Sequence, residues 1–177
     1  MAVDPYPEIR AAVGKLCARF PGAHWRALDR DMAYPQDFVA ALTEAGWLSI
    51  LIPEDFGGSG LPLSAAATAV LEEMQRAGCN GGVCHAQMYT MGTLLRHGSE
   101  AQKRTYLPDI VAGRLRLQAF GVTEPSSGTD TWALKTTARL EGDHYVINGQ
   151  KIWTSRAEYS DLMLLLARHV LGRTRSY

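Results

Sequence analysis

The sequence predicts an α+β fold: an all-α helical bundle over residues 6–114, an incomplete antiparallel β-barrel or β-sandwich domain over 115–170, and an irregular tail over 171–177. Three observations carry this. Up to about residue 114, apolar residues recur every three or four positions, the period of a helix with one buried face. From Leu115 the period drops to two, as in a strand with one wet face. Hydrophobic residues make up 46% of the 177, enough to build a core and to exclude wholesale disorder.

The helices follow in order. Ile9, Val13, Leu16, Cys17 and Phe20 share one helical face, and Pro21-Gly22 reads as a stop. Beyond Pro35, a second helix carries Phe38, Val39, Leu42 and Ala45 and closes at Gly46. Ser64 is placed to cap a third helix, which carries Val70, Leu71 and Met74 and closes at Gly78. Cys84, Met88, Met91 and Leu95 mark a fourth, closed by Gly98. Ser99 with Gln102 has the form of a capping box for a fifth, which meets Pro108, where a kink is expected, and ends at Gly113.

The strands are shorter. Leu115, Leu117 and Ala119 alternate with Arg116 and Gln118, and Leu134, Thr136, Ala138 and Leu140 with Lys135, Thr137 and Arg139. Tyr145-Val146-Ile147 and Lys151-Ile152-Trp153 flank Asn148-Gly149, a pair suited to a type I′ hairpin turn. Leu162 to Ala167 is an apolar run of strand length. Four or five strands are too few to close such a sheet, so the β-domain reads as cut short.

Lysine plus arginine and aspartate plus glutamate both number 18, which gives no general attraction to nucleic acid or anionic membrane. A small-molecule or protein partner is the default. Cys17, Cys79 and Cys84 are too few and too irregular for a disulfide framework, and Cys79, Cys84 and His85 match no common zinc spacing. Small buried thiols are the expectation. No charged-then-apolar leader opens the chain, and the longest apolar run is too short to span a bilayer, so a soluble cytoplasmic protein is expected.

The chemistry sits in Gly121-Val122-Thr123-Glu124-Pro125-Ser126-Ser127-Gly128-Thr129-Asp130. This loop is dense in hydroxyls, and Gly128 is free to take unusual backbone angles. Exposed N–H groups and short hydroxyls can form a concave donor surface for a diphosphate or a heterocycle edge. The same residues also suit a tight turn held by bonds to its own backbone. Trp153 likewise reads either as a ring for stacking on a flat ligand or as a hairpin residue facing the core.

Gly121 through Ala133 resembles the signature of the acyl-CoA dehydrogenases at Gly121, Val122, Thr123, Glu124, Ser127, Gly128, Thr129, Asp130 and Ala133. Further segments agree in order: Pro53-Glu54-Asp55-Phe56-Gly57-Gly58 with Gly60, Ser99-Glu100-Ala101-Gln102-Lys103 with Tyr106-Leu107-Pro108, and Asn148-Gly149-Gln150-Lys151-Ile152-Trp153-Thr154-Ser155. The likeness runs from about residue 6 to Arg168.

The resemblance implies FAD as cofactor, held by Phe120, Val122, Thr123, Gly128, Thr129, Trp153 and Ser155. Phe120, Val122, Thr123 and Trp153 would face the flavin ring, and Thr129 the diphosphate and acyl-CoA side. Ser155 stands where the family usually has threonine, whose hydroxyl bonds flavin N5. Arg156-Ala157 departs from the small or amide residue and glycine that usually follow. Glu124 and Asp130 would be structural, holding the loop.

The implied reaction is α,β-dehydrogenation of an acyl-CoA thioester, with hydride passing to flavin N5 and electrons on to electron-transferring flavoprotein. A homo-oligomer is implied, with neither nucleic acid nor a membrane span. The family's catalytic glutamate lies in its C-terminal helical domain, which would fall beyond Tyr177. No catalytic residue is therefore expected here, and the chain alone is expected to be inactive. An acyl-CoA oxidase, a flavin monooxygenase and a non-catalytic fragment remain open on the same fold.

Overall fold

The computed structural model describes residues 4–63 and 68–170. They form two compact units, Met1–Leu117 and Gln118–Tyr177. The first is helical: α1 (Pro7–Cys17), α2 (Gly22–Arg30), α3 (Gln36–Glu44), α4 (Thr68–Arg76), α5 (Gly82–His97) and α6 (Glu100–Val111).

Glycines end three of these helices in one way. Gly46, Gly78 and Gly113 take φ of 76°, 73° and 70° after α3, α4 and α6. After α3, Gly46 N–H bonds the Thr43 carbonyl at 3.0 Å and Trp47 N–H the Leu42 carbonyl at 2.9 Å, the paired bonds of a Schellman cap. The same pair recurs after α4 and α6. Gly98 differs. It is extended after α5, and a Cβ there would stand 2.5 Å from the Leu94 carbonyl oxygen, so close approach requires the glycine. The capping box forms as expected: Gln102 N–H donates to Ser99 Oγ at 3.2 Å, and Ser99 N–H to Gln102 Oε1 at 2.9 Å. Helix α6 runs through Pro108 to Val111. The expected Ser64 cap lies outside the described residues.

Helix α2 has no counterpart in the sequence reading. Pro21-Gly22 opens a helix rather than only closing one: extended Pro21 is its N-cap. None of its residues is fully buried, but His24, Trp25, Ala27 and Leu28 form a half-buried face, and Trp25 packs against the core. It is held through Trp25, whose indole N–H donates to the Phe20 carbonyl at 2.9 Å.

The core of this unit lies where α1 packs on α4 and α3 on α5. Val13, Phe38, Val39, Leu42, Val70, Met74 and Cys84 are sealed from solvent. Cys17, Cys79 and Cys84 are all buried free thiols, and burial pushes Cys17 and Cys84 up to about 12. None of the described helices is long and apolar enough to cross a membrane.

The second unit carries β1 (Ala119–Gly121), β2 (Thr137–Glu141), β3 (His144–Asn148), β4 (Met163–Leu165) and β5 (Arg168–Val170). The sheets are mixed rather than purely antiparallel. Among the described strands, β2 and β3 pair antiparallel, whereas β1–β4 and β2–β5 pair parallel. Long connections make this possible, since parallel neighbours need a crossover while antiparallel ones can share a tight turn.

Three strand expectations are corrected. The hairpin turns at Gly142-Asp143, not at Asn148-Gly149. Glu141 pairs with His144, which leaves a two-residue loop, and Gly142 takes φ of 66° as the first loop residue. Gly149 instead lies against Thr136, where a Cβ would meet Thr136 Cα at 2.6 Å, and residues 151–154 form no strand. Of Leu115 to Ala119, only Ala119 belongs to a strand. The run from Leu162 to Ala167 yields β4 alone; the chain then crosses to the other sheet as β5, with Arg168 N–H on the Thr136 carbonyl at 2.9 Å. The tail from residue 171 lies outside the described residues.

Candidate functional site

Strand β1 delivers the chain into the hydroxyl-rich loop at Gly121. There Glu124 and Ser127 bond each other's backbone in both directions, at 2.8 and 3.2 Å, around Pro125-Ser126. The Ser127 hydroxyl donates to the Asp130 carbonyl, and Asp130 Oδ1 accepts from Trp132 N–H at 3.1 Å. The loop is thus a self-bonded turn, and Asp130 is structural within it. Gly128 takes none of the left-handed angles allowed to it.

Glu124 is the hub. Its carboxylate accepts from the N–H groups of Lys135 at 2.6 Å and Thr136 at 2.9 Å, and from Lys151 Nζ at 2.9 Å. Lys151 Nζ also donates to the Val122 carbonyl at 2.9 Å. Both side chains are out of solvent, at 9% exposure for Lys151 and 3% for Glu124. The Thr136 hydroxyl beside it, the Lys135 N–H and the Lys151 ammonium together hold the Glu124 carboxyl down to about 2. Thr136 Oγ1 faces this site without meeting full hydrogen-bond geometry.

The sign of the pH effect follows. Glu124 steadies the loop fully above its ordinary value of 4.5, and that contribution is lost as pH falls through about 2. Near-UV circular dichroism is expected to hold constant from pH 7 to 5 and then decline on acidification. Glu124→Gln is expected to flatten that decline; a variant with an unchanged acid limb would remove Glu124 as its cause.

The residues singled out from the sequence are distributed as follows. Phe120 lies in β1 and is 37% exposed. Val122 and Thr123 are half-buried, and the Thr123 carbonyl accepts from Ile152 N–H at 2.9 Å. Gly128 and Thr129 are exposed, and a Cβ on Gly128 would come 3.9 Å from the Thr123 methyl. The loop therefore brings Thr123 and Gly128 side by side, while its bond to Ile152 brings the 151–155 segment alongside.

Trp153 is 84% exposed with φ of 59°, so it neither faces the core nor sits in a hairpin. Ser155 is exposed beside it, and Arg156 takes φ of 62°. Left-handed angles at Trp153 and Arg156 are uncommon for such side chains, and strain of this kind concentrates where ligands are held. Lys151 was legible in the sequence only as part of a motif; no local signal pairs it with Glu124.

This donor set fits a flavin. Among the described residues, the Thr123, Thr129 and Ser155 hydroxyls make no hydrogen bond within the protein. Exposed Trp153 and Phe120 offer flat apolar faces near these hydroxyls in sequence.

Comparison with known proteins decides the family. The model of the acyl-CoA dehydrogenase N-terminal domain matches residues 6–114, and that of the middle domain matches 119–176. The chain belongs to the acyl-CoA dehydrogenase family. It is 32% identical to glutaryl-CoA dehydrogenase of Desulfococcus multivorans over 164 residues, covering 90% of this chain and 41% of that protein. It is 40% identical to the acyl-CoA dehydrogenase IpdE1 of Mycobacterium tuberculosis over 157 residues, covering 88% and 39%. The crystal structure of acyl-CoA dehydrogenase from Geobacillus kaustophilus superposes with a TM-score of 0.84 at 28% identity, covering 94% of this chain and 43% of that one. The chain therefore spans about two fifths of the length of the family members it matches.

Proposed function

We propose that the chain supplies the flavin-holding loop and the N-terminal helical part of an FAD-dependent acyl-CoA dehydrogenase, with the helical domain ending at 114 and the cofactor residues within 115–170. The observation that carries this is that Thr123 and Ser155, whose hydroxyls bond nothing among the described residues, lie on two segments joined by the bond from Ile152 N–H to the Thr123 carbonyl. When bound, FAD supplies the hydride acceptor for α,β-dehydrogenation of an acyl-CoA.

Thr123 and Ser155 would donate hydrogen bonds to the flavin edge, and Thr129 to the diphosphate. Gly128 lets the backbone approach closely. Trp153 and Phe120 would give the ring contact area and orientation. In the helical unit, a cavity of about 630 Å³ bordered by Leu51, Leu61, Met88 and Tyr89 would take part of the acyl chain. Met91 is sealed in the core and would not.

Glu72, Glu73, Glu124, Glu141 and Glu158 are poorly suited to removing an α-proton. Glu124 is held far too acidic to act as a base near neutrality. Glu72 and Glu141 pair with Arg10 and Arg139, Glu73 pairs with Arg76, and Glu158 is exposed. We therefore assign the chain no catalytic residue, and electron-transferring flavoprotein would be the acceptor of the complete enzyme.

Titration with FAD, followed by quenching of flavin fluorescence, tests the reading. Because the loop and the 151–155 segment offer one wall to the flavin, binding is expected to be weak enough for flavin to be lost on gel filtration. Thr123→Val and Ser155→Ala are each expected to weaken it by about 0.5–1.5 kcal/mol, the worth of one hydrogen bond. Wild-type affinity in both variants would return these hydroxyls to a purely structural role.

A further inference from the structure

We propose that Lys151 is a positioning residue for the flavin: its ammonium clamps the loop at Val122–Glu124 to the segment at Ile152–Ser155, so that both present their flavin contacts as one rigid face. The proposal rests on the flavin reading above and adds a residue that reading does not use.

The argument begins with where the bonds of Lys151 go. Nζ donates to the Val122 carbonyl and to Glu124 Oε1, both at 2.9 Å. One residue on, Ile152 N–H donates to the Thr123 carbonyl, also at 2.9 Å. Two consecutive residues of one segment thus grip three consecutive residues of the other. The tie then extends: Glu124 also holds the Lys135 and Thr136 N–H groups, and Thr136 is the residue against which Gly149 lies. Through one lysine and one glutamate, the segments 122–124, 135–136 and 149–152 become a single assembly.

Lysine suits this place. A buried point charge on a flexible stem can bond a carbonyl and a carboxylate that diverge, where the planar arginine fork prefers two parallel acceptors. At 9% exposure the ammonium is also little screened by solvent. The clamp lies beside the groups that matter: Val122 and Thr123 are among its partners, and Trp153 and Ser155 follow Lys151 by two and four positions. Ligand-holding groups must be fixed within roughly 0.5 Å, which exposed hydroxyls on two separate loops do not achieve alone.

A buried ion pair that merely stabilised the unit would not have to act on cofactor affinity, and that difference is the test. Lys151→Met and Lys151→Arg are compared with wild type by hydrogen–deuterium exchange and by FAD fluorescence titration on the whole protein. Lys151→Met is expected to speed exchange at 122–126, 134–137 and 150–155 together, to leave α1 to α6 unchanged, and to weaken FAD binding roughly tenfold or more, as loss of an outer supporting partner commonly does. Lys151→Arg keeps the charge and is expected to restore most of the protection but only part of the affinity. If Lys151→Met unfolds the β-unit, Lys151→Gln, which removes the charge but keeps an N–H donor, is expected to give the same pattern in milder form. Faster exchange confined to 150–152, or FAD affinity within about twofold of wild type despite faster exchange in all three segments, overturns the proposal. A wild-type protein that does not quench FAD overturns the flavin reading instead, so the two failures are distinct.

Discussion

Phe38→Ala is expected to remove about 3–5 kcal/mol from the stability of the helical unit. Phe38 is completely buried, with ring centroids 5.1 Å from Phe20 and 5.0 Å from Trp25, both edge-on. It thereby joins α3 to the connection after α1 and to α2, the described helix with no fully buried residue of its own. Truncating a buried phenylalanine costs about 3–5 kcal/mol, from lost transfer free energy and the cavity left behind. Domains of this size hold about 5–15 kcal/mol in total. Chemical denaturation followed by far-UV circular dichroism should show a midpoint well below wild type. Phe38→Leu, which refills most of the volume, should recover much of the loss. A midpoint unchanged in Phe38→Ala would mean that the Phe20–Phe38–Trp25 cluster does not hold these helices together.

Gly149→Val is expected to have the largest effect on the β-unit. A Cβ at 149 would stand 2.3 Å from Thr136 Oγ1 and 2.6 Å from Thr136 Cα. The second atom is backbone and cannot swing aside, so one of the two chains must move. Overpacking of this kind costs typically about 1–3 kcal/mol, and the upper end applies where backbone must give way. Thr136 N–H is a donor to Glu124, so the displacement reaches the candidate site directly. The measurement is hydrogen–deuterium exchange of peptides covering 134–141 and 122–126, expected to lose protection while the helical unit keeps its own. Full protection in both peptides would show that close approach to Thr136 is not what requires glycine at 149.

The helix ends were legible because a single residue decides each one. Gly46, Gly78 and Gly113 announce left-handed caps, and Ser99 with Gln102 announces its capping box, without reference to the rest of the chain. Helix α2 was not legible because its stripe is short: after Gly22-Ala23 only Trp25, Ala27 and Leu28 are apolar, too few to mark a period. The hairpin was misplaced because Gly142-Asp143 and Asn148-Gly149 are both plausible turns locally. The choice between them is made by the approach of Gly149 to Thr136, a contact the local pattern does not contain.

The candidate site shows the same division. The hydroxyls of the loop and the structural role of Asp130 could be read from residue types and spacing. The partner of Glu124 could not, since Lys151 lies 27 positions away and its bond depends on where the chain turns back. The exposure of Trp153 was equally hidden, because it follows from a left-handed backbone angle at a residue that seldom adopts one.

The central claim, that the loop after β1 and the segment around Trp153 together form the flavin-holding face, is tested most directly by mapping the amide chemical shifts of the protein as FAD is added. The expected result is a contiguous set of shifts at Phe120, Val122, Thr123, Gly128, Thr129, Trp153 and Ser155, saturating with a single affinity. Shifts confined to the α5 cavity around His85, Tyr89 and Thr93, or none above those caused by an equal concentration of adenosine diphosphate, would contradict it.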